Sequence, residues 1–259
     1  MFDWTKLHAI TLIPSIIFFI LASLIIRKWL IKYDEKFRII PIHIITALIF
    51  VLEIIKQTRS LILGYDLSDL PLYYCSLFVF LYPLTSLYKG KFKDSIRTLT
   101  IVSGITLFGL MMIMPNIVYS EDSIKNIFLD FDCFHTVVFH NLVLLGTALL
   151  ISLNLYKINI KKDYLITTLF YVSYCVIVPP ITILLNENFN KFNYNTVTPI
   201  ENIRLSLIDS LGYSFGQSMY VLLDLISTVG FSIFMYTVFM LIHKLSKYIS
   251  QKRLKSNFN

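Results

Sequence analysis

The sequence predicts an all-α, polytopic membrane bundle of about seven transmembrane helices, with the amino terminus outside and the carboxyl terminus inside. Three observations carry this. Hydrophobic residues make up 56 % of the 259 and charged residues only 15 %, with a mean hydropathy of +0.69, too little polar surface to coat a water-soluble globule of that length. The apolar residues fall in blocks of about 20, the length an α-helix needs to cross about 30 Å of hydrocarbon. Basic residues are concentrated in alternate connections, as the positive-inside rule requires of cytoplasmic loops.

The first block, at about 8–27, lacks a small-residue cleavage site and ends in Arg27, Lys28 and Lys32, so it reads as a retained span. The others fall at about 39–57, 70–88, 98–115, 134–155, 164–186 and 218–243. Four connecting regions hold 17 of the 23 basic residues: 27–38, 89–97, 157–162 and the basic tail at about 244–259. The opposite loops carry Asp66, Asp69, Glu121, Asp122, Asp130 and Asp132. The net charge of +7 is thereby a topology signal and gives no reason to invoke nucleic acid. A β-barrel would alternate polar and apolar residues over shorter segments. The chain reads as one transmembrane domain, 1–259. In the third block, Pro71 suits a first helical turn, with Leu70 as cap and Cys75 in the second turn. In the sixth, Pro179–Pro180 is expected to kink the outer half. A long outer loop at about 187–217, with an amphipathic middle from Ile203 to Leu211, is expected to cover the outer mouth of the bundle.

Ionisable side chains inside hydrocarbon cost about 2.5–3.5 kcal/mol on insertion scales, so each needs a reason. Four stand out: Glu53, Cys75, His140 and Asp224. Counting from the outer ends at about 1.5 Å per residue puts all four roughly 6–9 Å below the outer boundary. A carboxylate, a thiol, an imidazole and a second carboxylate therefore share one layer, at the depth of outer-leaflet lipid esters. A thiolate nucleophile there needs a base, and His140 is the natural one.

Plainer readings stand beside this one. Cys75 can be a small apolar filler, and His140 can hydrogen-bond across a helix interface. Glu53 can pair with Lys56 or Arg59 in its own outer turns. His135 lies at the boundary and reads as interfacial. A disulfide between Cys75 and Cys133 would defeat the nucleophile reading. Cys133 and Cys175 have no metal-ligand spacing, and no Walker loop, dinucleotide fingerprint or HExxH pattern occurs, so neither a metal nor a cofactor is expected.

The segment LPLYYCSLFVF around Cys75 resembles the LPLH-x-CS signature of the YwaF-like bacterial integral membrane proteins. Further segments fit the pattern in order: Glu53 late in the second span, the glycine-bearing fourth span closing in Pro115, FHTVVFHNLVLLG with His135 and His140, and Asn193-Tyr194 through Pro199. One departure is that Tyr73 stands where the family has a histidine two residues before the cysteine. The resemblance implies a distant kinship with eukaryotic membrane acyltransferases that load polyunsaturated chains onto ether phospholipids, and with androgen-induced hydrolases of fatty-acid esters. It implies Cys75 as the acyl-carrying residue, with His140 matching the family histidine better than His135.

The expected function is acyl transfer, by an acyltransferase, transacylase or lipid-ester hydrolase of the cell membrane acting on phospholipids or lysophospholipids. Cys75, His140, His135 and Glu53 form the expected catalytic set. Tyr73, Tyr74, Asn141, Asn193, Tyr194 and Asp224 form the expected substrate-binding set, with Asn141, Tyr74 or Asn193 as oxyanion donors. Two alternatives are a proton- or cation-coupled transporter using Glu53 and Asp224, and a noncatalytic scaffold held together by its polar layer. No protein partner is indicated.

Overall fold

The structure is a computed structural model, and it describes residues 4–189, 192–194 and 198–256. In chain order the helices are α1 Lys6–Leu30, α2 Glu35–Arg38, α3 Ile40–Leu63, α4 Phe78–Leu87, α5 Lys93–Ile113, α6 Pro115–Val118, α7 Glu121–Lys125, α8 Phe131–Ser152, α9 Ile160–Leu185, α10 Thr198–Leu211 and α11 Tyr213–Ser256. No strand occurs among the described residues. Among the described residues, six segments are long and apolar enough to cross a membrane: α1, α2 with α3, α5, α8, α9 and α11. The seventh expected span is short. Its apolar helix covers only Cys75–Leu87.

Ion pairs show that this short piece still completes a crossing. Lys56 near the end of α3 pairs with Asp69 at 3.1 Å, whereas Lys93 and Arg97, beyond α4, reach Glu35 at the start of α2 at 2.9 and 2.8 Å. The chain therefore travels from one end of the bundle to the other between 69 and 93. It does so through 3₁₀ turns at 67–69 and 75–77 before α4 begins. This corrects the expected helix starting at Pro71: Cys75 opens a 3₁₀ turn instead of lying in the second turn of an α-helix. Such irregular backbone is tolerated at membrane depth where protein or a cavity surrounds it.

The basic connections gather at one end, as their sequence positions predict, and there they cap a helix. The carboxyl end of α8 leaves carbonyls without intrahelical donors. Arg27 donates to Ser152 O, Arg38 Nη1 to Leu153 O at 2.7 Å, and Arg97 Nη1 to Leu155 O at 3.2 Å. Three guanidinium groups on the negative pole of one helix satisfy both its hydrogen bonds and its dipole. At the opposite end Trp4 Nε1 donates to Met112 O at 2.9 Å and His8 Nε2 to Tyr119 O at 2.8 Å. Asp130 caps α8 by accepting from the backbone of Asp132 and Cys133. Those bonds, with Cys133 foremost, hold its carboxyl below the ordinary carboxylate range.

Helices α5 and α8 form the middle of the bundle, and α1 and α11 are its most exposed long helices. Close approach of the inner helices depends on glycine. A Cβ at Gly146 of α8 would strike the Tyr82 ring, and one at Gly104 of α5 would strike Thr147. Small residues are the usual means of tight packing in lipid, where apolar side chains gain little by leaving the hydrocarbon. Tyr82, fully buried, donates to Val143 O at 2.7 Å, so the phenol has no room to yield.

One further expectation changes. The expected 187–217 loop instead contains the 14-residue helix α10, followed after Gly212, at a left-handed φ of 78°, by α11. Helix α9 runs unbroken in secondary structure through Pro179 and Pro180. Residues 195–197, within the Asn193 to Pro199 segment, lie outside the described residues.

Candidate functional site

A cavity of about 810 Å³ lies between α5, α8, α9, α11 and the irregular segment before α4, within the roughly 300–1,000 Å³ of ligand-sized sites. Cys75, His135, His140 and Asp224 all line it, as do Tyr73, Tyr74 and Cys175. Residues from three separate segments, placed at one depth by counting along the sequence, are thus brought to one wall system. The rest of the lining is largely apolar, with Leu107, Leu110, Val118, Phe139, Phe192 and Phe231.

His140 is held in a defined state. Its Nδ1 lies 2.6 Å from Thr136 O, and a carbonyl oxygen only accepts, so Nδ1 carries the proton. In its neutral form the ring then presents Nε2 as a lone pair, and no hydrogen-bond partner for it occurs among the described residues. Tyr119 and Phe139 pack edge-on against the imidazole at 5.6 and 5.7 Å between centroids. A side chain fixed by two aromatic neighbours, with one nitrogen tethered and the other available, suits a proton acceptor.

His135 is packed inside the protein. It is 9 % exposed, stacks on Phe139 at 5.4 Å, and stands with Nε2 3.5 Å from Glu53 Oε2. That separation is an ion-pair distance and longer than a normal hydrogen bond. Glu53 also accepts from Gln57 Nε2 at 2.8 Å. The expected partners of Glu53 are engaged elsewhere, Lys56 with Asp69 and Arg59 with Asp132 at 2.6 Å. The reason is geometric: α3 turns Glu53 inward toward α8, while Lys56 and Arg59 reach the loops. Glu53 thus touches the cavity only through His135.

The remaining expected residues divide. Tyr73 and Tyr74 reach the cavity, but Asn141, Asn193 and Tyr194 are not on its wall. Asn141 keeps Oδ1 buried, with no hydrogen bond to it among the described residues. Asn193 donates to Glu187 O at 2.6 Å, and Tyr194 is 54 % exposed. Of the three expected oxyanion donors, only Tyr74 faces the cavity. All three cysteines are free, and Cys133 lies off the cavity wall, with Sγ directed toward Asp122 O at 3.9 Å. Asp224, on α11, has no ion-pair partner among the described residues.

Several lining groups escape the sequence reading: Lys56 as a wall residue, and the hydroxyls of Thr106 and Ser232. Their signal is only polarity within apolar blocks, which does not say which helix face is turned inward. At the outer mouth, Ile200 of α10 and Phe192 join the wall. Arg204, paired within α10 with Glu201 at 2.6 Å, ties the helix to α11 through Gln217 at 2.9 Å, and Gln217 donates to Phe192 O at 2.6 Å. The amphipathic helix therefore contributes to the cavity wall through Ile200.

No curated protein and no solved structure matches the chain. A family model does, over residues 3–236, which takes in every membrane-crossing helix up to the middle of α11 and the whole cavity. The chain is a multi-pass membrane protein belonging to the TMEM164 family.

Proposed function

We propose that the protein transfers acyl groups between lipids of the cell membrane through a thioester on Cys75. The observation that carries this reading is that the Cys75 thiol and the His140 imidazole, 65 residues apart in sequence, line the same largely apolar cavity. The resemblance of the Cys75 and His135–His140 segments to lipid-acyltransferase relatives supports it further.

In this mechanism His140 Nε2 takes the thiol proton, and the Cys75 sulfur attacks the ester carbonyl carbon of a phospholipid. The C–O bond breaks, the leaving alkoxide takes the proton from His140, and the acyl chain remains as the thioester. A lysolipid, another alcohol or water then attacks, giving its proton to His140; as the C–S bond breaks, the departing sulfur recovers that proton and the thiol re-forms. Tyr74 is the oxyanion donor that faces the cavity. Glu53 positions His135 beside the site. Asp224 supplies a negative patch on the wall, suited to the cationic part of a lipid headgroup.

The test uses proteoliposomes containing an isotopically labelled phospholipid and an unlabelled lysophospholipid, with exchange followed by lipid mass spectrometry. Cys75→Ala should abolish label transfer, and His140→Gln should lower it about 100-fold or more. Transfer retained by folded Cys75→Ala contradicts the mechanism.

A further inference from the structure

A second hollow, of about 240 Å³, opens at the outer end of α3, outside the cavity that holds Cys75 and His140. Lys56, Arg59 and Ser60 of α3, Asp66 and Asp69 of the turn that follows, and Asp132 at the start of α8 form its wall. These groups are open to solvent: the side chains of Arg59 and Asp132 are 37 % and 60 % exposed, and Asp66 is exposed too. Lys56 also lines the large cavity, so it is the partition between the two spaces.

The charges of this hollow are not all spent on one another. Lys56 pairs with Asp69 at 3.1 Å and Arg59 Nη1 with Asp132 at 2.6 Å. Asp66 is left over: it accepts from Ser68 N at 2.8 Å and joins no ion pair among the described residues. Arg59 lies over the Phe131 ring, with Cζ 5.5 Å from the centroid, and its Nε and Nη2 make no hydrogen bond among the described residues. A guanidinium with donors to spare suits a phosphate, and a carboxylate without a counter-ion suits an ammonium. The order along the axis matches a phospholipid. Lys56 and Arg59 stand three and six residues beyond Glu53, about 4.5 and 9 Å further out, and Asp66 lies past the end of the helix. In a phospholipid the phosphate and then the amine follow outward from the ester.

We infer that this outer hollow is a headgroup subsite for a zwitterionic phospholipid, with the phosphate held by Arg59 beside Lys56 and the ammonium by Asp66. In the reaction proposed above, such a lipid directs its ester past Lys56 toward Cys75; that role alone rests on the acyl-transfer reading, and the binding does not.

The probe is dioleoyl phosphatidylethanolamine, set against dioleoyl phosphatidic acid, which lacks the amine, and dioleoylglycerol, which lacks the whole headgroup. Each is titrated against the detergent-purified full chain by native mass spectrometry. Wild type should retain the zwitterion about tenfold better than dioleoylglycerol and several-fold better than phosphatidic acid. Arg59→Gln should bring both phosphate lipids close to the dioleoylglycerol level. Asp66→Asn, whose side-chain oxygen can still accept from Ser68 N, should remove only the advantage over phosphatidic acid. Unchanged dioleoylglycerol binding and an unchanged thermal midpoint report that each variant is folded. Inorganic phosphate in excess should not displace the zwitterion; displacement marks a simple anion site and overturns the inference. So does a wild type without preference, or a folded Arg59→Gln or Asp66→Asn that keeps the full preference. Cys75→Ala should rank the three lipids as wild type does, so that a failure of the thioester chemistry and a failure of this subsite are read separately.

Discussion

Glu53 of α3 and His135 of α8 face each other across the bundle, Oε2 to Nε2 at 3.5 Å, with both side chains about nine-tenths buried. Two polar groups so placed are costly when either loses its partner, since removing one member of a buried pair destabilises by about 3–5 kcal/mol. Glu53→Leu should therefore lower the thermal midpoint in detergent sharply, because it strips an acceptor from both His135 and Gln57. Glu53→Gln keeps an acceptor oxygen and should be milder. In a double-mutant cycle with His135→Phe the coupling should be about 1–3 kcal/mol; additive losses would show that the two residues do not interact.

The glycine contacts give a second expectation. Gly146→Ala places a methyl group in the space of the Tyr82 ring, which is pinned by its bond to Val143 O. Overpacking of this kind costs about 1–3 kcal/mol. Gly146→Ala should reduce thermal stability, and pairing it with Tyr82→Phe, which frees the ring from its hydrogen bond, should recover part of the loss. Gly230, where an added methyl group would meet only open space, should accept alanine without loss of stability.

Arg97 is almost fully buried at the basic end, where it bonds Glu35 Oε1, Leu155 O and Thr85 O. Its planar fork reaches three acceptors that a lysine cannot satisfy together. Arg97→Lys should therefore destabilise measurably, and Arg97→Met more. A Lys variant with an unchanged thermal midpoint would show that the fork is dispensable.

The cover formed by α10 depends on Gln217, which joins Arg204 to Phe192 O. Gln217→Leu should loosen that corner and raise the rate at which a water-soluble maleimide labels Cys75, by several-fold relative to wild type. An unchanged labelling rate would mean that access is set elsewhere.

Much of this is legible in the sequence, and the exceptions have physical causes. The spans and their two-ended charge pattern follow from hydropathy and from the cost of moving lysine and arginine across a membrane, and the long helices lie where those arguments put them. Cys75, His140 and Asp224 meet at one cavity because rise per residue is nearly constant along a helix, so counting recovers depth. Rotation about the helix axis is what counting cannot supply. Spacing alone assigns Glu53 to Lys56, whereas packing of α3 on α8 turns it to His135 and Gln57. His135 reads as interfacial from its place at the edge of an apolar block, and only the packing of α8 on α3 reveals its burial beside Glu53. Pro71 favours a first helical turn before Cys75, yet the chain bends there through 3₁₀ turns ahead of α4. The 187–217 stretch reads as a loop because its apolar residues are diluted by Asn and Ser, although its amphipathic middle does mark α10.

Whether Cys75 carries an acyl group is read most directly by intact-protein mass spectrometry of the purified protein after incubation with phospholipids, before and after neutral hydroxylamine, beside Cys75→Ser. A hydroxylamine-labile acyl mass is expected on wild type and missing from the variant, its size naming the chain; a labile adduct that persists in Cys75→Ser, or lipid exchange proceeding in that variant at the wild-type rate, would contradict the thioester mechanism.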